Sequence, residues 1–261
     1  MQEKLSPAWR VSVPNIRHIL SFGGGVNSAA LMIILVRNKA PLDEVVFADT
    51  GGEVPETYSY LPVAQEYLAK HGVPFKVIAH RKGDQDLYAN SWNRGVFPSA
   101  IWRWSTRDFK VLPLHRYYRT LGQHINQYLA IAYDEFERMK TSRVGYITNI
   151  YPLIDTKVTR QACIEAIQEE GLPVPVKSGC YFCPFNSLSR WQWLYEQHPD
   201  LYDNAIALEE HSKHFPAQLL TDQVFRDKAH IPLRQLPAHF RRCDVDNTES
   251  TIGICGGECM T

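Results

Sequence analysis

RHILSFGGGVNSAALMIILV, residues 17–36, decides the fold. Residues 17–22 read as the end of an apolar strand, Gly23-Gly24-Gly25-Val26-Asn27-Ser28 as a glycine turn, and Ala29 to Val36 as a helix that is apolar nearly all round. A strand, a tight turn and a helix without a polar face describe a unit covered on both sides, as in an α/β sheet. Working outward, residues 44–48 (EVVFA) form a short β-branched run at the spacing of a parallel βαβ crossover. Pro55 to Lys70 reads as the next helix, stopped by Gly72, and Phe75 to Ala79 as a third strand. These steps within the first 80 residues imply a doubly wound, mostly parallel α/β sheet, which takes ligands at the carboxyl ends of its strands.

Further along, periodicity is poor from Lys82 to Pro113, where Trp92, Trp102 and Trp104 lie among Arg and Lys, so this stretch reads as a long functional loop before a helix at 113–120. Residues 127–132 (QYLAIA) read as a strand, Thr159 to Glu170 as a helix closed by Gly171, and Leu188 to Leu194 and Pro199 to His211 as helices. A division follows, with a nucleotide-binding α/β domain over 1–158 and a cysteine-bearing helical extension and tail over 159–261.

Lys plus Arg and Asp plus Glu number 28 each, and hydrophobic residues make 44 %, so the chain is globular in composition and carries no overall polyanion-binding charge. Nucleic acid, if handled, needs a local patch or a partner complex to neutralise phosphates. No run reaches the roughly 20 apolar residues of a membrane span, and the N-terminus has no signal-peptide apolar region, so no membrane role and a cytoplasmic location are expected. Of six cysteines, five follow residue 179, and two pairs are spaced CxxC and CxxxC. In a reducing compartment such spacing suits metal binding or redox chemistry better than disulfides.

The glycine turn carries the first chemical signal. Gly23, Gly24 and Gly25 allow positive φ and close backbone approach, so that N–H groups and the helix N-terminus can cradle phosphate oxygens, with the Ser28 hydroxyl beside them. It matches neither G-x-G-x-x-G nor the Walker A pattern. Instead GGGVNS at 23–28, preceded by Ser21, resembles the SGGxDS pyrophosphate loop of the PP-loop ATP pyrophosphatases, with Gly23 in place of the usual serine and Asn27 in place of the usual aspartate. Asp49-Thr50-Gly51-Gly52-Glu53-Val54-Pro55-Glu56-Thr57 is similar to the DTGxxxPET signature of the phosphoadenosine phosphosulfate (PAPS) reductase branch, at a strand end where adenine or ribose would lie.

Three more stretches agree. Ser105 to Pro113, with Arg107 and Lys110, resembles the segment that carries a Lys toward the nucleotide phosphates, with Ser105 in place of its usual Cys; Glu135-x-x-Arg138 resembles the family's strand-end Glu-x-x-Arg; and Tyr151-Pro152-Leu153 resembles its YPL turn. The resemblance runs over roughly residues 17 to 190 and implies an adenine nucleotide alpha hydrolase-like fold. It also implies a nucleotide site of Ser21, Gly23, Gly24, Gly25, Asn27, Ser28, Asp49, Thr50, Gly51, Arg107, Lys110, Glu135 and Arg138, in which Ser28 and Lys110 act on ATP with Mg2+.

The cysteines carry the rest. Cys180 and Cys183 form a tight turn whose thiolates can share one metal, and Cys163 on the preceding helix could supply a third ligand. In PP-loop sulfur enzymes such cysteines hold a 4Fe-4S cluster, with zinc as the alternative. Glu258-Cys259 resembles the terminal Glu-Cys of PAPS reductases, whose thiol is a nucleophile; either Cys259 carries sulfur, or Cys255 or Cys259 completes the metal site, and Cys243 reads as structural.

The expected function is adenylation of an oxygen for replacement by sulfur, as in the small ATP pyrophosphatase components of DNA phosphorothioation systems, with a cysteine desulfurase partner as sulfur donor. The alternatives are a PAPS or adenylylsulfate reductase, a tRNA thiolation enzyme, or a non-catalytic nucleotide-binding subunit.

Overall fold

The computed structural model describes residues 15–79, 85–98, 103–212 and 231–240. Its centre is a five-stranded, all-parallel sheet built from β1 (Ile16–Phe22), β2 (Glu44–Asp49), β3 (Phe75–Ala79), β4 (His124–Leu129) and β5 (Ile147–Ile150), in the order β3-β2-β1-β4-β5. The direction of winding reverses between β1 and β4, which makes the carboxyl end of β1 the ligand crevice of the sheet. The register pairs Leu20 with Val45 on one side of β1 and with Tyr128 on the other.

Alternation along β1 assigns its two faces. Leu20 and Phe22 join α1 (Val26–Arg37), α2 (Pro55–Lys70) and α7 (Arg160–Glu169) in one apolar cluster, whereas Ile19 joins Leu114 and Tyr118 of α5 (Leu112–Thr120) in another on the opposite face. Helices therefore cover both faces. Helix α1 is buried from Val26 to Leu35 except at Asn27, matching its lack of a polar face in the sequence. Each buried Leu or Ile there is worth about 1.5–3 kcal/mol relative to exposure, so α1 is the main anchor of the sheet. Pro55 sits in the first turn of α2, and Gly72 at φ +71 follows its end. Helix α7 packs on α1, so the start of the 159–261 segment belongs to the same core as the sheet.

The stretch read as a loop from Lys82 to Pro113 is more ordered than its sequence suggests. It contains α3 (Leu87–Arg94), capped by the Asp86 carboxylate accepting from Ala89 N–H at 2.8 Å, then α4 (Trp104–Thr106) and a π-helical turn (Arg107–Val111) that runs straight into α5. The strand expected at 127–132 lies at 124–129, and β5 is too short and polar to announce itself.

A further apolar cluster joins α3, Trp104, Phe109, Tyr181 and Phe182 to α8 (Leu188–Gln197), α9 (Pro199–His211) and the 3-10 turn Leu233–His239. Trp191 is fully buried within it. That last turn is tied to α9 by two buried bonds: Leu233 N–H donates to the Glu209 carboxylate at 2.8 Å, and the Tyr202 hydroxyl donates to the Leu233 carbonyl at 2.6 Å. Burial raises the Glu209 carboxyl from 4.5 to about 7, against the opposing effect of the Leu233 N–H and with a small addition from Glu210. A raised acid favours folding below its unfolded pKa and loses that contribution as pH rises. Stability should therefore fall between about pH 4.5 and pH 7, and Glu209→Gln, which keeps the acceptor, should flatten that slope in urea unfolding measured across the range. Among the described residues no helix is long and apolar enough to cross a membrane.

Candidate functional site

The first turn of α1 begins at Gly25, which offers no side-chain cap, and it contains no acidic residue. The amide groups at its N-terminus are thus left for an anion, at the crevice that the strand order creates. Gly24 lies at φ +77, a backbone region closed to most side chains, and a Cβ there would come within 2.7 Å of Thr57 Cγ2. Ser28 does not point its hydroxyl outward; it donates to the Gly25 carbonyl at 2.9 Å and holds the turn. Ser21 is buried near the carboxyl end of β1.

Asn27 meets the strand-end motif from β4. Its amide donates to Glu135 Oε2 at 3.0 Å, and Arg138 reaches the same oxygen at 3.0 Å, so residues more than 100 apart in sequence converge at the switch point. Asn27 Oδ1 is buried and has no hydrogen-bond partner among the described residues. The departure from aspartate at 27 has a physical reason here: a carboxylate would face Glu135 at hydrogen-bond distance. Asn27→Asp should cost roughly 1–3 kcal/mol in a thermal melt at pH 8, and the loss should shrink at pH 5 or with millimolar Mg2+ as one charge is neutralised.

The second motif closes the other side. Asp49 Oδ1 accepts from Gly51 N–H at 2.8 Å and from the Tyr58 hydroxyl at 2.7 Å, so this carboxylate shapes the strand-end turn. Burial, and then the bond to Asp49, pushes the Tyr58 phenol well above its usual pKa. Thr50 Oγ1 accepts from Gly52 N–H at 3.1 Å. Gly51 stands at φ +74.

Beside this turn lies a carboxylate that sequence reasoning did not single out. The Glu53 side chain is fully buried; its Oε1 accepts from Lys110 Nζ at 2.8 Å, with Thr50 Oγ1 at 3.4 Å and Cys180 Sγ at 3.9 Å. Its Oε2 is buried and has no hydrogen-bond partner among the described residues. Lys110, expected at the phosphates, is thus paired with Glu53, and it projects from the π-helical turn, a feature frequent at functional sites. Arg107 is turned to the surface and paired with Asp108 at 2.7 Å. No local pattern could have revealed Glu53, because Lys110 and Cys180 lie 57 and 127 residues away.

The CxxC segment is stitched to the same turn by a bridge between Glu53 and Cys180 and by Tyr181 N–H donating to the Gly52 carbonyl at 2.9 Å. A Cβ on Gly52 would meet the Phe182 ring at 3.0 Å, so the close approach depends on that glycine. Cys180 and Cys183 line a small, partly open pocket together with Thr50, Arg103, Ser105 and Lys110. Cys163 is not brought to them. It is fully buried in the α1–α7 core, in a different apolar cluster from Cys180, and among the described residues no three of His, Cys, Asp and Glu form a group that could hold a metal. Cys243, Cys255 and Cys259, like Trp102, lie outside the described residues. The described residues therefore offer two thiols, fewer than a 4Fe-4S cluster or a tetrahedral zinc site requires.

Comparison with known proteins agrees with this geometry. The model of the phosphoadenosine phosphosulfate reductase domain matches residues 17–175, more than half of the chain. A phosphoadenosine 5'-phosphosulfate reductase of Zymomonas mobilis is 29% identical over 103 residues, covering 40% of this chain and 41% of the relative. One from Sodalis glossinidius is 30% identical over 115 residues, covering 44% and 46%. The chain thus spans less than half the length of the curated relatives it matches. Among solved structures, the U34-tRNA thiolase NcsA from Methanococcus maripaludis with its 4Fe-4S cluster superposes with a TM-score of 0.52 at 14% identity, over 90% of this chain and 84% of that one, a likeness of fold. With the glycine turn, the DTGGEVPET turn and the strand-end Glu135 and Arg138 gathered at one crevice, the chain belongs to the phosphoadenosine phosphosulfate reductase domain family.

Proposed function

We propose that this chain is an ATP pyrophosphatase that adenylates an oxygen so that sulfur can replace it, the oxygen being a backbone phosphate oxygen of DNA presented by a partner complex. One observation carries the reading: Cys180 and Cys183 line the same pocket as Thr50 and Lys110, and Ser178, two residues before Cys180, lies against Gly25 of the glycine turn. Nucleotide activation and sulfur chemistry then share a site.

In this reading the N–H groups of the glycine turn and of the first turn of α1 bind the β and γ phosphates. The partnerless Asn27 carbonyl and the Glu135 carboxylate, whose hydrogen bonds both fall on Oε2, form a hard-oxygen pair suited to Mg2+. The ion supplies charge neutralisation on the departing pyrophosphate. Ser28 keeps the turn closed, and Asp49 with Tyr58 keeps the strand-end turn in place for the nucleoside. Lys110, pinned by Glu53, holds a positive charge at the cavity wall, where positioning and charge do most of the work of such a transfer. Sulfur arrives as a persulfide from a cysteine desulfurase and is carried on Cys259; its outer sulfur attacks the adenylated phosphate, AMP leaves with the replaced oxygen, and a dithiol reductant cleaves the S–S bond to leave sulfur on the phosphate. No step is assigned to an iron-sulfur cluster or to zinc.

The names of the two curated relatives favour a second reading, reduction of a sulfonucleotide. One experiment separates them. With ATP, Mg2+, DNA and the partner complex that presents it, a cysteine desulfurase, cysteine labelled with radioactive sulfur and a dithiol reductant, label should enter the DNA; with PAPS and the same dithiol reductant, no sulfite should form. Sulfite release without DNA labelling would select the reductase.

A further inference from the structure

We propose that Ser178 is a phosphate-binding residue, contributed to the glycine turn by the segment that leads into the CxxC. The proposal rests on the nucleotide reading above and names a donor that the loop motifs do not contain.

The segment Lys177–Gly179 lies directly against the turn. A Cβ placed on Gly25 would stand 2.7 Å from Ser178 Oγ and 3.3 Å from its backbone nitrogen, and one placed on Gly24 would stand 3.9 Å from Ser178 Cβ. Gly25 is therefore glycine because Ser178 occupies the space above it. The Ser178 hydroxyl makes no hydrogen bond to another described residue, although it sits beside an uncapped helix N-terminus whose first turn carries no acid. A hydroxyl rotor at that place can donate to the same anion as the α1 amides.

Its position is fixed from both ends. Upstream, Arg190 Nη2 donates to the Lys177 carbonyl at 2.9 Å; Arg190 is 7% exposed and stacks over the Trp193 ring at 3.9 Å. Downstream, Gly179 at φ +150 turns the chain into the Glu53–Cys180 bridge. A donor held this way gives up little freedom on binding. It also links the two halves of the site, since Ser178 at the phosphates and Cys180 at the cavity are two residues apart, within about 7 Å along the chain.

The ligand class is the terminal phosphates of a nucleoside triphosphate, or the pyrophosphate they become. The test is calorimetric titration of the full chain with MgATP, with Mg-pyrophosphate and with adenosine. Ser178→Ala should weaken MgATP and pyrophosphate by about 10- to 100-fold, as for a lost bond to a charged group, with adenosine affinity and melting temperature unchanged. Equal pyrophosphate affinity in wild type and variant would overturn the assignment of Ser178 while leaving the nucleotide reading standing. A parallel loss of adenosine binding and of melting temperature would make Ser178 a structural residue and overturn it too. Failure of the wild-type chain to bind either MgATP or pyrophosphate would overturn the nucleotide reading itself.

Discussion

Gly24→Ala is expected to abolish nucleotide turnover and to lower stability by about 2–5 kcal/mol. Two separate costs add. Gly24 stands at φ +77, where an L side chain costs about 1–2 kcal/mol. The new Cβ would also lie 2.7 Å from Thr57 Cγ2, and Thr57 is 1% exposed on the first turn of α2, so neither group can move without disturbing packing; overpacking of this kind costs about 1–3 kcal/mol. The relief available is to tilt the glycine turn away from α2, which misplaces the amide groups proposed to bind the phosphates. Thermal melts should show the loss, and Gly24→Ala with Thr57→Ser, which deletes the clashing methyl, should recover the packing part but not the backbone part. A single variant that melts and turns over like wild type would show that the turn does not constrain the site.

The second large effect is expected at Glu53. Its side chain is fully buried and that of Lys110 is 12% exposed, so Glu53→Gln removes the carboxylate charge that faces the ammonium in a place where water reaches little. Breaking one partner of such a pair costs about 3–5 kcal/mol, whereas replacing both by apolar groups of similar shape is often neutral. Glu53→Gln and Lys110→Met should each lower the urea midpoint strongly, and Glu53→Leu with Lys110→Met should recover most of it. The double variant should still lack turnover, because Lys110 also supplies charge at the cavity. Additive losses across the cycle would show that the two residues do not act as a pair.

Much of this was legible in the sequence because it is local. The apolar face of α1, the β-branched run of β2, the Pro55 start and Gly72 stop of α2 and the Pro199 start of α9 are each written within one or two turns of chain. The site motifs at 23–28, 49–57 and 135–138 were legible for the same reason, and the strand order brings them together. What stayed hidden depends on contacts far apart in sequence. Glu53 acquires its meaning from Lys110 and Cys180, and Ser178 from Gly25. Lys110 looked free to reach phosphate, but a buried carboxylate competes for it. Cys163 looked available as a third thiol ligand on spacing alone, yet a cysteine on the inner face of a helix is also a good small core residue, and that is where α7 places it against α1. Helix α3 and the π-helical turn were obscured because their apolar residues serve the further cluster with α8 and α9 rather than the sheet.

The bond broken in ATP is the most direct test of the account. The full chain is incubated with Mg2+ and ATP labelled at the α phosphate, with DNA, the partner complex that presents it and the sulfur donor present, and the labelled product is separated. The geometry of the glycine turn, Asn27, Glu135 and Lys110 predicts labelled AMP or an adenylated acceptor together with free pyrophosphate. Labelled ADP with inorganic phosphate would contradict the account at its centre.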